Sequence, residues 1–145
     1  MVEAVGGIYT DTMKRSRARA ELRRPKVLVV DDMRSVRETV CRILEQGGFQ
    51  TEQAHDANEA LRVLRPSSHD LVVTDLKMPG GDGMSLIEEM KKRRINCPVI
   101  VLTSYGSFCS RVKAIAKGAF MHLDKPFKAD RLLTAAVKAL DWKPK

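Results

Sequence analysis

From Lys26 onward the chain alternates short apolar runs with longer stretches whose apolar residues recur every three or four positions. Lys26-Val-Leu-Val-Val30 is apolar and β-branched, the mark of a strand buried on both faces. Arg34 to Gln46 carries Val36, Val40, Ile43 and Leu44 at helical spacing and stops at Gly47-Gly48. Phe49 to Ala54 predicts a short, partly polar strand, and Asp56 is placed to cap a helix from Ala57 to Leu64 that ends near Pro66. The alternation repeats with a strand at Leu71-Val-Val-Thr74, a Pro-Gly-Gly loop through Gly83, and a helix from Met84 to about Arg94. Pro98 to Leu102, Phe108 to Lys117, Ala119 to Leu123 and Lys128 to Leu140 then follow as strand, helix, strand and helix. Five strands alternating with five helices predict a doubly wound α/β fold: a five-stranded parallel sheet joined by right-handed crossovers and covered on both faces. The continuously apolar strands near residues 28, 72 and 100 belong at its centre, and the polar one near 52 at an edge.

Composition narrows the class without changing this picture. The chain has 145 residues, 43% hydrophobic and 30% charged, which is enough apolar material for one globular domain. Its net charge of +8 is uneven: residues 1–24 hold Lys14, Arg15, Arg17, Arg19, Arg23 and Arg24 against Glu3, Asp11 and Glu21. We read residues 1–24 as a basic flexible arm and 25–145 as the domain. Such an arm suits an acidic partner, nucleic acid or an anionic surface, or serves solubility alone. Cys41, Cys97 and Cys109 have no paired spacing for zinc or a disulfide frame, as in a reducing compartment. No apolar run approaches the roughly 18 to 20 residues of a membrane span, and no signal-type segment opens the chain, so the expected location is the cytoplasm.

Candidate chemistry collects where the strands end. Strand one ends in Asp31-Asp32, strand three in Asp75, strand four in Thr103-Ser104 and strand five in Asp124-Lys125-Pro126. A parallel sheet brings these ends to one edge, where open α/β sheets bind their ligands. Three neighbouring carboxylates repel one another unless a cation sits among them, and a hard ion that takes few carboxylates beside a phosphoryl group describes Mg²⁺. The lysine and hydroxyl supply a positive charge and a donor for phosphoryl oxygens, and a carboxylate can itself be the nucleophile. Each residue alone reads more simply as a cap or turn residue; four such coincidences at five strand ends do not.

Lys26-Val-Leu-Val-Val-Asp-Asp32, Leu71-Val-Val-Thr-Asp-Leu-Lys-Met-Pro-Gly-Gly-Asp-Gly83, Pro98-Val-Ile-Val-Leu-Thr103 and Lys117-Gly-Ala-Phe-Met-His-Leu-Asp-Lys-Pro-Phe127 occur in this order. Together they resemble the receiver domains of bacterial two-component response regulators, of the chemotaxis-regulator type, over about Lys26 to Leu140. The resemblance, not the periodicity, implies the flavodoxin-like strand order 2-1-3-4-5. It makes Asp75 the phosphoacceptor, with Thr103 and Lys125 binding phosphoryl oxygens. Asp31, Asp32, Asp75 and the main-chain carbonyl of Lys77 would hold Mg²⁺ (or Mn²⁺).

The same resemblance implies a sensor histidine kinase or histidine phosphotransferase as donor, and a downstream protein partner on the face of helix four, strand five and helix five. It pairs Thr103 with a switch residue on strand five, here His122 where Tyr or Phe is commoner. Two positions tune phosphoryl lifetime in the family, here Lys77 and Tyr105; neither is an acid or amide suited to positioning a hydrolytic water, so slow self-dephosphorylation is expected. The domain is accordingly a phosphoacceptor switch and not an enzyme with a separate substrate. A phosphatase or phosphotransferase of related doubly wound topology, with an Asp nucleophile and Mg²⁺, fails on spacing, because Asp31-Asp32-Met33 lacks the Asp-x-Asp-x-Thr/Val pattern after strand one. No DNA-binding module fits after Leu140, so nucleic-acid contact needs an additional domain. A phosphorelay intermediate and the receiver portion of a longer transcriptional regulator remain alternatives. Met33, Met78, Met84 and Met90 read as packing residues, and Lys91-Lys-Arg-Arg94 as a solvated helix end.

Overall fold

The computed structural model describes residues 24–78, 83–104 and 113–142. The expected basic arm and Tyr105 therefore lie outside the described residues, apart from Arg24. The elements run β1 (Lys26–Val30), α1 (Arg34–Gln46), β2 (Gln50–Ala54), α2 (Ala57–Val63), β3 (Leu71–Asp75), α3 (Gly83–Lys92) and β4 (Val99–Ser104). A helical segment, α4 (residues 113–116), β5 (Met121–Lys125) and α5 (Ala129–Leu140) complete them. All four strand pairings are parallel, and the order is β2-β1-β3-β4-β5.

Alternation along each strand divides the interior between the two sheet faces. Leu28 and Val30 of β1 join Val72, Val99 and Val101 under Ala57 and Ala60 of α2, Leu86, Ile87 and Met90 of α3, and Ala114 of α4. Val27 and Val29 join Val73, Ile100, Leu102 and Leu123 under Val40, Cys41 and Leu44 of α1, and Leu132, Ala135, Ala136 and Ala139 of α5. The continuously apolar strands are central as expected, and β2, with only Ala54 buried, is an edge. Asp56 caps α2 by accepting the Glu59 N–H at 2.7 Å.

Two details differ from the sequence reading. The last strand is Met121–Lys125, two residues later than its apolar run, because Gly118 (φ +115°) and the Ala119 N–H bonded to the Ala114 carbonyl still close the preceding helix. The polar Asp124 and Lys125 stay in the ladder, opposite Thr103 and Ser104, because at this end of an edge strand their side chains escape burial in the apolar layers. Met33 is exposed rather than packed, since it sits in the connection before α1.

Candidate functional site

The carboxyl ends of β1, β3, β4 and β5 lie along one sheet edge, and their terminal residues are the polar ones. Asp31 follows β1 directly; its backbone N–H still bonds the Ala54 carbonyl at 3.2 Å, so the residue is held as an extension of the strand. The side chain is buried, its Oδ1 accepting the Met33 N–H at 2.9 Å. Burial pushes this carboxyl above its ordinary value, and the nearby Asp75 charge acts in the same direction; the Met33 N–H and Lys125 oppose them. Asp32, one residue on, is exposed. Asp75 closes β3 and is partly buried.

One oxygen from each of Asp31, Asp32 and Asp75 lies within 4.8 Å of the others. Lys125, the last residue of β5, inserts its ammonium between two of them, 3.3 Å from Asp31 Oδ2 and 3.4 Å from Asp75 Oδ2. Three carboxylate oxygens at this spacing, one buried and made reluctant to ionise by that burial, fit a hard divalent cation that keeps part of its water shell. The residues thus suit Mg²⁺, with the ammonium as the resident counter-charge.

The backbone beneath Asp75 is tightly fixed. Its carbonyl accepts the Thr74 hydroxyl at 2.9 Å, the Leu76 N–H bonds the Leu102 carbonyl at 3.0 Å, and the Gly83 N–H bonds the Leu76 carbonyl at 2.8 Å. A Cβ on Gly83 would stand 2.7 Å from the Asp75 carbonyl oxygen, so only glycine lets α3 start this close to the strand end.

Of the remaining expected site residues, Thr103 is buried at the end of β4, with its hydroxyl donated to Asp124 Oδ1 at 3.0 Å. Lys77 is exposed two residues past Asp75. His122 is half-buried on β5, opposite Val101. The structure brings Asp31, Asp32, Asp75 and Lys125 into direct proximity, while Thr103 is turned to the β5 side. The sequence reading passed over Arg37, and it placed Asp124 among the strand-end residues without giving it a role. Arg37 donates from Nη1 to the Asp31 carbonyl at 2.8 Å, and Asp124 holds Thr103. Arg37 sits one turn into α1, a position that the strand-then-helix pattern could flag; the contact of Asp124 with Thr103 becomes visible only with the β4–β5 register. His69, in the loop before β3, is buried and bridges Ser68 Oγ and Glu52 Oε1, each at 2.7 Å, away from this edge.

Comparison with known proteins agrees with this geometry. The family model for the response regulator receiver domain matches residues 27–137. The phosphate regulon transcriptional regulatory protein PhoB of Escherichia coli is 37% identical over 117 residues, covering 79% of this chain and 51% of that protein. Response regulator MprA of Mycobacterium ulcerans is 38% identical over 115 residues, covering 79% and 49%. The chain thus spans about half the length of these curated relatives. A response regulator receiver domain protein from Clostridium thermocellum superposes with a TM-score of 0.76 at 34% identity, covering 81% of this chain and 94% of that one. With this match in sequence, strand order and acidic edge, the chain belongs to the response regulator receiver domain family.

Proposed function

We propose that Asp75 accepts a phosphoryl group from a phosphohistidine of a sensor kinase or histidine phosphotransferase, and that the change is read by a downstream protein on the α4–β5–α5 face. The observation that carries this reading is the meeting of Asp31, Asp32 and Asp75 oxygens within 4.8 Å, with the Lys125 ammonium 3.4 Å from Asp75. An Asp75 oxygen attacks phosphorus in line; the new O–P bond forms as the N–P bond to the donor histidine breaks, and the electron pair stays on the imidazole nitrogen. Lys125 offers its positive charge to one transferring oxygen, and Thr103, once turned toward Asp75, offers a proton to another. Asp31, Asp32, Asp75 and the Lys77 carbonyl would hold Mg²⁺ (or Mn²⁺), which supplies charge neutralisation on the phosphoryl oxygens. Arg37, on the Asp31 carbonyl, holds that strand end in place.

In this reading His122 senses the movement of Thr103, Lys77 and Tyr105 leave the phosphoryl group long-lived, residues 1–24 form a basic arm beside the receiver, and the domain works in the cytoplasm. Among the described residues, no helix is long and apolar enough to cross a membrane. The relatives of about twice this span include a transcriptional regulatory protein, which supports a second reading in which the receiver governs transcription within a longer polypeptide.

The test is intact mass after incubation with Mg²⁺ and acetyl phosphate, for the protein and for Asp75→Asn. A gain of about 80 Da, base-labile and missing from the variant, is expected. No gain in a folded protein that binds Mg²⁺, or an equal gain in Asp75→Asn, overturns the assignment. A phosphoryl half-life of only seconds would sink the slow-dephosphorylation part alone.

A further inference from the structure

We infer that Asp124 is a latch on the switch: in the unphosphorylated domain its carboxylate holds the Thr103 hydroxyl away from Asp75, and phosphorylation must break that bond. The inference rests on the phosphoacceptor reading of Asp75 above.

Thr103 is 1% exposed, and its Oγ1 lies 3.0 Å from Asp124 Oδ1 and 3.5 Å from the Leu123 carbonyl. A hydroxyl has a single proton to donate, and the shorter contact, to a charged acceptor, is the stronger one. That proton cannot serve a phosphoryl oxygen on Asp75 at the same time. The contact is built into the sheet and not into a loop, because Thr103 and Asp124 face each other in the β4–β5 register. On the other side of β4, Asp75 pairs with Leu102, the residue before Thr103. Thr103 thus stands between two acceptor positions, one on β5 that is filled and one on β3 that fills only when Asp75 is modified.

The next residue makes the arrangement asymmetric. Lys125 already reaches Asp31 and Asp75, so the dipeptide at the end of β5 offers one phosphoryl-binding group and withholds the other. If most molecules are latched, the apparent affinity for a phosphoryl group falls by the latched fraction, and releasing the latch recovers it.

The test titrates fluoroberyllate, a phosphoryl mimic, in the presence of Mg²⁺ by calorimetry. The proteins are the wild type, Asp124→Ala, Asp124→Asn, Thr103→Val and the Thr103→Val/Asp124→Ala double variant. Asp124→Ala should bind fluoroberyllate about three- to tenfold more tightly, with Mg²⁺ affinity unchanged. Asp124→Asn, which keeps the shape but is a weaker acceptor, should fall between. In the Thr103→Val background the gain should vanish, since the latch acts through that hydroxyl.

Unchanged or weaker fluoroberyllate binding in Asp124→Ala, with wild-type thermal melting, overturns the latch. So does an equal gain in the Thr103→Val background, which would reduce the effect to plain charge repulsion. Should Asp124→Ala melt early, Asp124→Asn carries the comparison. A wild type that binds Mg²⁺ but no fluoroberyllate overturns the phosphoacceptor reading itself and the latch with it; wild-type binding with no Asp124 effect overturns the latch alone.

Discussion

The Lys125 ammonium lies 3.3 Å from Asp31 Oδ2, although β4 and β3 separate their strands in the sheet. The same ammonium reaches Asp75 at 3.4 Å, so one cation offsets two of the three clustered carboxylates. A divalent cation entering the cluster meets the repulsion of that ammonium, while an incoming phosphoryl group meets its attraction. Lys125→Ala should therefore separate the two events. Mg²⁺ affinity should rise several-fold, while the rate of phosphorylation by acetyl phosphate should fall on the order of a hundredfold, the usual effect of losing one pre-placed group that stabilises transferring charge. Calorimetry and time-resolved intact mass read the two quantities; parallel losses in both would mean that Lys125 only supports the fold of the edge.

Asp31 carries a stability cost in the metal-free domain that depends on pH. Its carboxyl is held above the ordinary value of 3.8, first by burial. A carboxyl raised by folding favours the fold most when protonated, so its contribution is complete below its unfolded value and is lost as pH rises through the folded one. At pH 7, well above the unfolded value, the raised carboxyl therefore opposes folding. Asp31→Asn, which can still accept the Met33 N–H, should raise the thermal midpoint of the metal-free domain at pH 7, and the difference from wild type should close toward about pH 3.5. Millimolar Mg²⁺ should raise the wild-type midpoint and leave the variant nearly unmoved. Scanning calorimetry at both pH values decides it; a variant less stable than wild type at pH 7 without metal would show that the Lys125 contact outweighs burial.

Gly83 fixes how closely α3 approaches the end of β3 at Asp75. An added methyl would stand 2.7 Å from the Asp75 carbonyl oxygen and 3.3 Å from Leu76 Cα, and both are backbone atoms that have no rotamer to yield. Gly83→Ala should cost about 1–3 kcal/mol in urea unfolding, the usual penalty of overpacking, and should slow phosphorylation by displacing Asp75. A variant that unfolds with the wild-type midpoint and phosphorylates at the wild-type rate would show that the helix start moves aside freely.

The fold was legible because its signals are local. The β1 run, the Gly47-Gly48 stop and the Asp56 cap each act within one turn or strand, and the structure places β1 and α1 at the residues the pattern indicates. The site was legible because a parallel sheet carries strand-end polar residues to one edge, so Asp31, Asp32, Asp75 and Lys125 could be grouped before any contact was known. What the sequence did not disclose depends on register and burial. The start of β5 differs because Ala119 and Phe120 are apolar for packing, while the Ala119 N–H still bonds back to the Ala114 carbonyl of the preceding helix. The Thr103–Asp124 bond was missed because residues 21 apart become neighbours only in one alignment of β4 with β5. The burial of the loop residue His69 is likewise invisible locally, because Glu52, which bonds it, comes from β2.

Cys97 stands just before β4, packed against the apolar layer beneath α2 and α3. Burial pushes its thiol up to about 11. The thiolate is the reactive form, so at pH 8 only about one molecule in a thousand carries it here, against roughly a quarter for a free thiol of pKa 8.5. Alkylation of Cys97 by iodoacetamide at pH 8 should run on the order of a hundredfold slower than that of a small free thiol. Its rate should climb about tenfold for each pH unit up to pH 10, where a free thiol has already levelled off. Peptide mapping of timed alkylation reads this site by itself. A rate that levels off below pH 9 would reveal an activated thiolate and make Cys97 a redox-responsive position; the steady climb leaves it a packing residue beside the apolar layer.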